Sequence, residues 1–176
     1  ARTTVNPFSV QEIADALKGV DIPVFVKNPI TPDINLWVGA LERINAVGIN
    51  KLGAIHRGFS SFEKSSYRNT PMWEIPIELK LICPEIPMIC DPSHIAGDIE
   101  LIPYVAQKAM DLDMEGLMIE SHINPSIAKS DAKQQVQPSD LEKILNDLII
   151  REKTSQSEEF INKLEQLRSI IDELDE

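Results

Sequence analysis

The fold class is decided by one segment, PVFVK at residues 23–27, and by the recurrence of its pattern along the chain. A short, continuous apolar run is typical of a strand that is buried on both faces of a parallel sheet. Three further runs share this pattern and occupy residues 52–55, 87–90 and 116–119. The recurrence therefore predicts a sheet built from several buried strands.

Helical segments separate the predicted strands, and they occupy residues 9–18, 32–47, 72–81, 99–111 and 139–151. Strands that alternate with helices form a parallel sheet with right-handed crossovers. The strand starts are spaced by about 30 residues, which is the size of a βαβ unit. The sequence therefore predicts an α/β fold. Because the chain has 176 residues, it is too short for a complete TIM barrel of roughly 250 residues.

The composition excludes several classes of protein. The chain is 43% apolar and 26% charged, with a formal net charge of −11, which is an ordinary globular composition. Its apolar runs are far shorter than the ~20 residues that span a bilayer, and no Lys/Arg run could neutralise a line of phosphates. We therefore expect no membrane span and no nucleic acid partner. Cys83 and Cys90 fit neither zinc nor redox spacing, so we expect reduced thiols in a cytoplasmic protein.

Each predicted strand is followed by a charged or metal-binding side chain. Lys27 follows the first run, Arg57 the second, His94 the third and Glu120 the fourth. The carboxyl ends of parallel strands surround one pocket in a closed barrel. We therefore expect these four side chains to converge on one region.

A basic trio at the predicted strand ends could bind an anion. Arg2, Lys27 and Arg57 would suit a small substrate that carries phosphate and carboxylate groups, since a guanidinium binds phosphate in bidentate fashion. Taken singly, each of them could instead be a surface charge paired with an acid.

A second group could bind a divalent metal. His94, Glu120 and Asp131 combine an imidazole with two carboxylates, which suits Mn, Fe, Co or Zn better than Ca. Alternatively, His94 could be a structural histidine in a turn. His122 is a reserve ligand or a loop histidine. His56 faces away from the pocket by strand alternation, and we predict a structural role for it.

Seven motifs closely resemble those of the beta-type branch of the 3-deoxy-D-arabino-heptulosonate 7-phosphate (DAHP) synthases. They are ARTTVNP at 1–7, VKNP at 26–29, LWVGALE at 36–42, HRGF at 56–59, YRN at 67–69, DPSHIAG at 91–97 and ESH at 120–122. That family is a metal-dependent TIM barrel that condenses phosphoenolpyruvate with erythrose 4-phosphate, the first step of the shikimate pathway. The resemblance implies that residues 1–151 form the C-terminal part of a TIM (β/α)8 barrel, about strands 4–8.

The resemblance also implies roles for individual residues. Arg2 and Arg57 match the phosphate ligands for phosphoenolpyruvate, and Lys27 matches the lysine that contacts this substrate and serves in proton transfer. Three of the four metal ligands are matched by His94, Glu120 and Asp131. Lys27 and His94 are thus the predicted catalytic residues.

Two features of the family do not occur in this sequence. They are the fourth metal ligand, a cysteine near the first barrel strand, and the Lys-Pro-Arg motif that holds the aldose phosphate. Cys83 and Cys90 lie between later motifs and are not counterparts of that cysteine. We therefore expect an internal fragment that is inactive or very weak alone.

The C-terminal residues predict a separate amphipathic helix. Residues 152–157 form a polar linker in which Ser157 could cap the helix, and apolar residues then recur at four-three spacing to residue 174. Residues 152–176 carry −5 of the net charge. The segment LEQLRSIIDELD at 164–175 resembles the start of the first helix of the all-helical chorismate mutases, and Arg168 matches a substrate-binding arginine there. A bifunctional parent is therefore expected, with residues 158–176 opening the mutase; a plain packing helix is the alternative.

Two other functions fit these observations. One is a related phosphoenolpyruvate-dependent synthase of the octulosonate or sialic acid type. The other is a non-catalytic module that self-associates, since an incomplete barrel has open strand edges and an uncovered apolar face. We expect a homo-oligomer.

Overall fold

The computed structural model describes residues 1–151 and 157–175. Its sheet contains four parallel strands in the order β1-β2-β3-β4, so each strand pairs with the next one along the chain. The strands are β1 at Val24–Lys27, β2 at Leu52–His56, β3 at Met88–Cys90 and β4 at Gly116–Leu117. The predicted α/β fold with a parallel sheet is confirmed.

Seven α-helices accompany the sheet in the described residues. They are α1 at Pro7–Ala16, α2 at Ile34–Ala46, α3 at Glu74–Ile82, α4 at Pro92–Ala96, α5 at Ile102–Asp111, α6 at Pro138–Asp147 and α7 at Glu158–Asp175. Short 3-10 turns occupy Thr3–Val5, Ile99–Leu101, Pro125–Ile127 and Ala132–Gln134. Helix α1 begins two residues before the predicted start, because the Asn6 side chain accepts a hydrogen bond from the Phe8 amide (3.0 Å) and Pro7 suits the first helical position.

The hydrophobic core lies between one face of the sheet and the helices. Val26, Ala54 and Met88 face this layer from neighbouring strands, and each is almost fully buried. Trp37 of α2 is completely buried there, and its indole N–H donates to the Val26 carbonyl oxygen at 3.0 Å. On the other face Phe25 is 46% exposed. The helix-covered face therefore stabilises the sheet, whereas its second face is covered unevenly, since Ile55 on that face is 2% exposed.

The third strand leads directly into a short helix, α4, that the sequence did not predict. The Asp91 side chain accepts from the His94 amide (3.1 Å), and Pro92 occupies the first turn. Gly97 ends the helix with φ of 71°, the left-handed conformation that glycine adopts easily. A helix of this length is too short to show a 3.6-residue period, so only its capping residues signal it.

Two predicted elements are shorter in the structure than in the prediction. Strand β4 stops at Leu117 because the Glu120 amide donates to Ser93 Oγ (2.9 Å), which draws the chain toward α4. Helix α6 stops at Asp147 because the Gln107 side chain bonds the amide and carbonyl groups of Ile149 at 2.9 and 3.0 Å. In both cases a side chain distant in sequence takes the backbone group that would have continued the element.

Helix α7 follows the predicted amphipathic pattern. Ser157 Oγ accepts from the Phe160 amide at 3.3 Å, which confirms the predicted cap. The apolar residues of its stripe are exposed, with Leu164 at 37% and Ile171 at 56%. The predicted linker at 152–157 lies outside the described residues except for Ser157. Within the described chain, no helix is long and apolar enough to span a bilayer.

Candidate active site

The predicted site residues of three neighbouring strands lie together at the carboxyl ends of those strands. Lys27 is the last residue of β1, Arg57 follows β2, and His94 lies in α4 directly after β3. Lys27 Nζ lies 2.7 Å from Asp91 Oδ2, the residue at which β3 passes into α4. The convergence expected from the parallel topology is therefore present.

Asp91 is the buried anion of this region. Its carboxylate bonds Lys27 Nζ through Oδ2 (2.7 Å) and His94 Nδ1 through Oδ1 (3.0 Å). Burial alone would raise the pKa of Asp91, but the hydrogen bonds and charges of His94 and Lys27 outweigh burial and lower it. The side chain of Asp91 is only 1% exposed, so the carboxylate acts on both neighbours with little screening by water. Asp91 was not predicted as a site residue, although its position as the cap before Pro92, Ser93 and His94 was a signal.

The contacts of His94 define which ring nitrogen is available. Nδ1 lies 3.0 Å from Asp91 Oδ1 and 3.6 Å from Glu120 Oε1. Ionised carboxylates only accept hydrogen bonds, so Nδ1 is the protonated nitrogen. The lone pair of Nε2 is then free for a metal, as in the carboxylate–histidine–metal arrangement of many metal sites.

His94, Glu120 and Asp131 form a group with the chemistry of a metal site. Each offers one ligand atom, and these atoms all lie within 4.8 Å of one another. A transition metal holds N and O ligands at about 2.0–2.2 Å, so two ligands lie at most about 4.4 Å apart. The 4.8 Å bound exceeds that limit by about 0.4 Å, which small side-chain rotations would close, and imidazole with two carboxylates is a suitable donor set. These residues therefore fit a divalent transition metal.

Asp131 has an unusual backbone conformation, with φ of 47° and ψ of 37°. Among residues other than glycine, Asp and Asn adopt this left-handed conformation most readily, because their short polar side chains can bond locally. Arg68 Nη1 lies 2.7 Å from Asp131 Oδ1 and holds the pKa of that carboxyl below its usual range. Asp131 is therefore an ionised candidate ligand, and Arg68 orients its carboxylate.

Arg57 is held by two asparagines. Its Nη1 donates to Asn69 Oδ1 and its backbone amide donates to Asn28 Oδ1, both at 2.7 Å. Asn69 also donates to the His94 carbonyl oxygen at 2.6 Å, which ties the arginine to α4. Gly58 has φ of 76°, and a Cβ there would lie 2.7 Å from the Asn69 carbonyl oxygen. The turn after β2 therefore requires glycine so that Arg57 and Asn69 can meet.

The surroundings of Arg57 are rich in positive charge. Burial is the main cause that lowers the pKa of Arg57, and the charges of Arg68 and Arg2 lower it further, while Asp91 opposes them. Like charges that gather around a half-buried guanidinium favour an anionic ligand. Arg2 is exposed and precedes the first 3-10 turn. The structure thus places the predicted basic trio within electrostatic range of one region.

The remaining histidines lie apart from this group. His56 is completely buried, and its ring packs against Phe59 and Trp73 with centroid distances of 5.7 and 5.1 Å. This placement agrees with the structural role predicted from strand alternation. His122 Nδ1 accepts from the Asn124 amide at 3.0 Å, as a loop histidine does, and it is not part of the metal group within the described residues.

Arg168 is an exposed residue of α7. The thiols of Cys83 and Cys90 are free, which agrees with the reduced state predicted for them. Burial raises the pKa of both thiols, so neither is a reactive thiolate.

The chain is similar to a phospho-2-dehydro-3-deoxyheptonate aldolase of Thermotoga maritima, with 29% identity over 114 residues that cover 65% of this chain and 33% of that protein. Its structure resembles a truncated form of 3-deoxy-D-arabino-heptulosonate 7-phosphate synthase from the same organism, with a TM-score of 0.69, 26% identity and coverage of 83% of this chain and 53% of that chain.

A crystal structure of the Thermotoga maritima phospho-2-dehydro-3-deoxyheptonate aldolase matches with the same TM-score and identity and 41% coverage of that chain. The chain therefore spans about a third to a half of the length of these relatives. The predicted assignment of its sheet and helices to part of a TIM barrel agrees with these matches. Because the model of the DAHP synthetase I family matches residues 1–158, the chain belongs to that family.

Proposed function

We propose that this chain supplies the phosphoenolpyruvate and metal-binding part of a DAHP synthase, which condenses phosphoenolpyruvate and erythrose 4-phosphate with water to give DAHP and phosphate. One observation carries the proposal: the buried Asp91 carboxylate bonds both Lys27 and His94. In a chain of this family, that contact joins the candidate substrate-binding side to the candidate metal-binding side.

The basic residues are proposed to hold phosphoenolpyruvate. Arg57 and Arg2 bind the phosphate, because a guanidinium bonds phosphate in bidentate fashion and both residues belong to one electropositive region. Lys27 contacts the same substrate from the end of β1. Since Nζ of Lys27 is fixed on Asp91 Oδ2, its ammonium has a defined direction and acts as a proton donor to a substrate oxygen.

The metal is proposed to be held by His94, Glu120 and Asp131, with Mn, Fe, Co or Zn as the candidates. The chemistry that such an ion supplies when bound is Lewis-acid polarisation of the aldehyde oxygen of the sugar phosphate. C3 of phosphoenolpyruvate forms the new carbon–carbon bond at that aldehyde, water adds at C2, and phosphate leaves by C–O cleavage. Arg57 and Arg2 keep the phosphate in position while charge develops at C2.

Calorimetric titration with phosphoenolpyruvate in the presence of Mn²⁺ tests this proposal, because it measures binding at the phosphoenolpyruvate and metal positions and does not require turnover. We expect binding by the wild-type chain and loss of binding in Arg57→Ala, with Arg43→Ala of helix α2 as the control. Phosphate release with erythrose 4-phosphate is expected to be weak or absent, since the chain contains no Lys-Pro-Arg motif. The proposal would be overturned if the wild-type chain bound neither phosphoenolpyruvate nor Mn²⁺.

The second candidate is a related synthase that uses another aldose. The family match over residues 1–158 favours the heptulosonate branch. Since this chain contains no Lys-Pro-Arg motif to hold an aldose phosphate, the discriminating measurement is phosphate release by a longer form of the protein, with erythrose 4-phosphate compared against the aldose substrates of the octulosonate and sialic acid type. Turnover with one of the latter alone would favour the second candidate.

We also propose the division of the chain into a partial barrel at 1–151, a linker at 152–157 and the start of a mutase helix at 158–176, with Arg168 as its substrate-binding residue. The observed helix α7 and its exposed apolar stripe support this division. Removal of residues 152–176 is expected to leave phosphoenolpyruvate binding unchanged, and a loss of binding would contradict the division.

We also propose that the chain forms a homo-oligomer. Light scattering tests this proposal, and a molar mass equal to that of the monomer would exclude it.

A further inference from the structure

Gln134 lies directly behind the candidate metal ligands and is only 1% exposed. Its Nε2 donates to Glu120 Oε2 at 3.0 Å, and its Oε1 accepts from Arg68 Nη1 at 2.6 Å. Both ends of the buried amide are therefore bonded, and each end has a different partner. This arrangement defines the orientation of the amide and of the Glu120 carboxylate.

Arg68 extends this contact to the second carboxylate. The same Nη1 atom that bonds Gln134 also bonds Asp131 Oδ1 at 2.7 Å. The backbone amide of Arg68 donates to the Ala96 carbonyl oxygen at 3.2 Å, and its side-chain stem lies directly against Gly97 at the end of α4. A continuous series of contacts therefore runs from Glu120 through Gln134 and Arg68 to Asp131.

We infer that Gln134 and Arg68 are positioning residues that orient the two carboxylates for a divalent metal. This inference rests on the proposed function, because it assumes that Glu120 and Asp131 are ligands. Each carboxylate has one oxygen engaged, Glu120 Oε2 and Asp131 Oδ1, so its other oxygen is the one available to a metal. Hydrogen-bonded partners of this kind orient metal ligands and raise metal affinity.

The chemistry explains why an amide suits position 134. Gln134 accepts from the Arg68 guanidinium and donates to the Glu120 carboxylate, and a side-chain amide offers both functions in one planar group. A glutamate there would still accept from Arg68 but would place a third carboxylate beside Glu120. The charge of Arg68 in turn offsets the repulsion between the two carboxylates, whose ligand atoms lie within 4.8 Å of each other.

The test is calorimetric titration of the metal-free full chain with Mn²⁺. We expect Gln134→Glu and Gln134→Met to weaken binding by about 10- to 100-fold, the usual effect of removing a partner of a metal ligand. Gln135→Glu is the matched control, because Gln135 is the next residue and donates instead to the Ser130 carbonyl oxygen. Its affinity for Mn²⁺ is expected to stay within twofold of the wild type. Circular dichroism and thermal unfolding verify that each variant is folded.

A second pair of variants separates charge from shape at position 68. Arg68→Lys retains a cation that can reach both oxygens through one nitrogen, so it is expected to recover part of the affinity that Arg68→Met loses. If folded Gln134 and Arg68 variants all bind Mn²⁺ within twofold of the wild type, the inference is wrong. If the wild-type chain binds no Mn²⁺, the proposed metal site is wrong and the inference falls with it.

Discussion

The carboxylate of Asp91 lies 2.7 Å from the ammonium of Lys27, across 64 residues of sequence. His94 Nδ1 lies 2.9 and 3.0 Å from the two oxygens of the same carboxylate, so one buried anion contacts the predicted substrate lysine and the predicted metal histidine. The two candidate half-sites therefore share a positioning residue. Any change in the charge of Asp91 should affect both of them.

Replacement of Asp91 by asparagine tests this relationship. The Asp91→Asn variant keeps the shape but removes the charge that compensates Lys27, and breaking such a buried pair costs about 3–5 kcal/mol of stability. We expect a matching decrease in urea unfolding free energy and weaker binding of both Mn²⁺ and phosphoenolpyruvate. Asp21→Asn is the control, since the pair of Asp21 with Lys51 is exposed and worth at most about 1 kcal/mol. Equal effects of the two substitutions would contradict the shared role.

Arg57 should not tolerate lysine. Its Nη1 is fixed on Asn69 Oδ1 at 2.7 Å, and a lysine has no planar fork that could bond both this oxygen and a phosphate. Arg57→Lys is expected to weaken phosphoenolpyruvate binding by about 10- to 100-fold, equivalent to about 1.5–3 kcal/mol for a charged hydrogen bond. Affinity for Mn²⁺ should change little. Arg43→Lys on α2 is the control, because Arg43 bonds the Gly39 carbonyl oxygen of its own helix.

His56 should make stability depend on pH. Burial, assisted by the charge of Arg57, lowers the pKa of His56 to about 3, and burial outweighs the opposing effects of Asp91 and the Pro71 backbone. In the unfolded chain histidine titrates near pH 6.5, so between about pH 3 and 6.5 the unfolded state binds a proton that the folded state does not. The contribution of His56 to the free energy of unfolding is therefore fully present above about pH 6.5 and decreases as the pH falls below that value.

Urea unfolding at pH 7 and pH 5 measures this effect. The free energy of unfolding of the wild type is expected to fall by about 2 kcal/mol between pH 7 and pH 5. The reason is that pH 5 lies roughly 1.5 units below the pKa of histidine in the unfolded chain. His56→Leu should flatten the pH dependence of stability, because it removes the titrating group. It also removes two buried ring nitrogens that lack good hydrogen bonds. His122→Gln should keep the wild-type slope. A wild-type slope in His56→Leu would show that another group titrates.

Gly58 should be more sensitive to substitution than Gly19, which also has positive φ but lies in open space. In Gly58→Ala the new Cβ lies 2.7 Å from the Asn69 carbonyl oxygen, so the strain of the left-handed backbone is joined by a clash. Gly19→Ala is the matched control, since Gly19 has φ of 82° and no atom within 4 Å of its Cβ position. We expect a loss of about 1 kcal/mol for the control and about 2–4 kcal/mol for Gly58→Ala, measured by urea unfolding. Weaker phosphoenolpyruvate binding should appear in Gly58→Ala and not in Gly19→Ala.

Local patterns in the sequence were sufficient for the sheet and for much of the candidate site. A strand covered on both sides must be apolar at successive positions, so the four runs beginning with PVFV at 23–26 predicted strands. Residues directly after such strands lie at one edge of the sheet, which is why Lys27, Arg57 and His94 were identified. The ends of β4 and α6 were predicted wrongly, because Ser93 and Gln107 are far from those ends in sequence.

The sequence by itself determined the α/β class, the four strands and the residues that follow them, since these depend on apolar periodicity and on direct adjacency along the chain. Only the tertiary structure decided how those residues are held. Asp91 meets Lys27 across 64 positions, and Arg68 meets Gln134 across 66. The physical reason is that a hydrogen bond requires atoms within about 3 Å, and folding brings residues that distant in sequence together without leaving a periodic signal at either position.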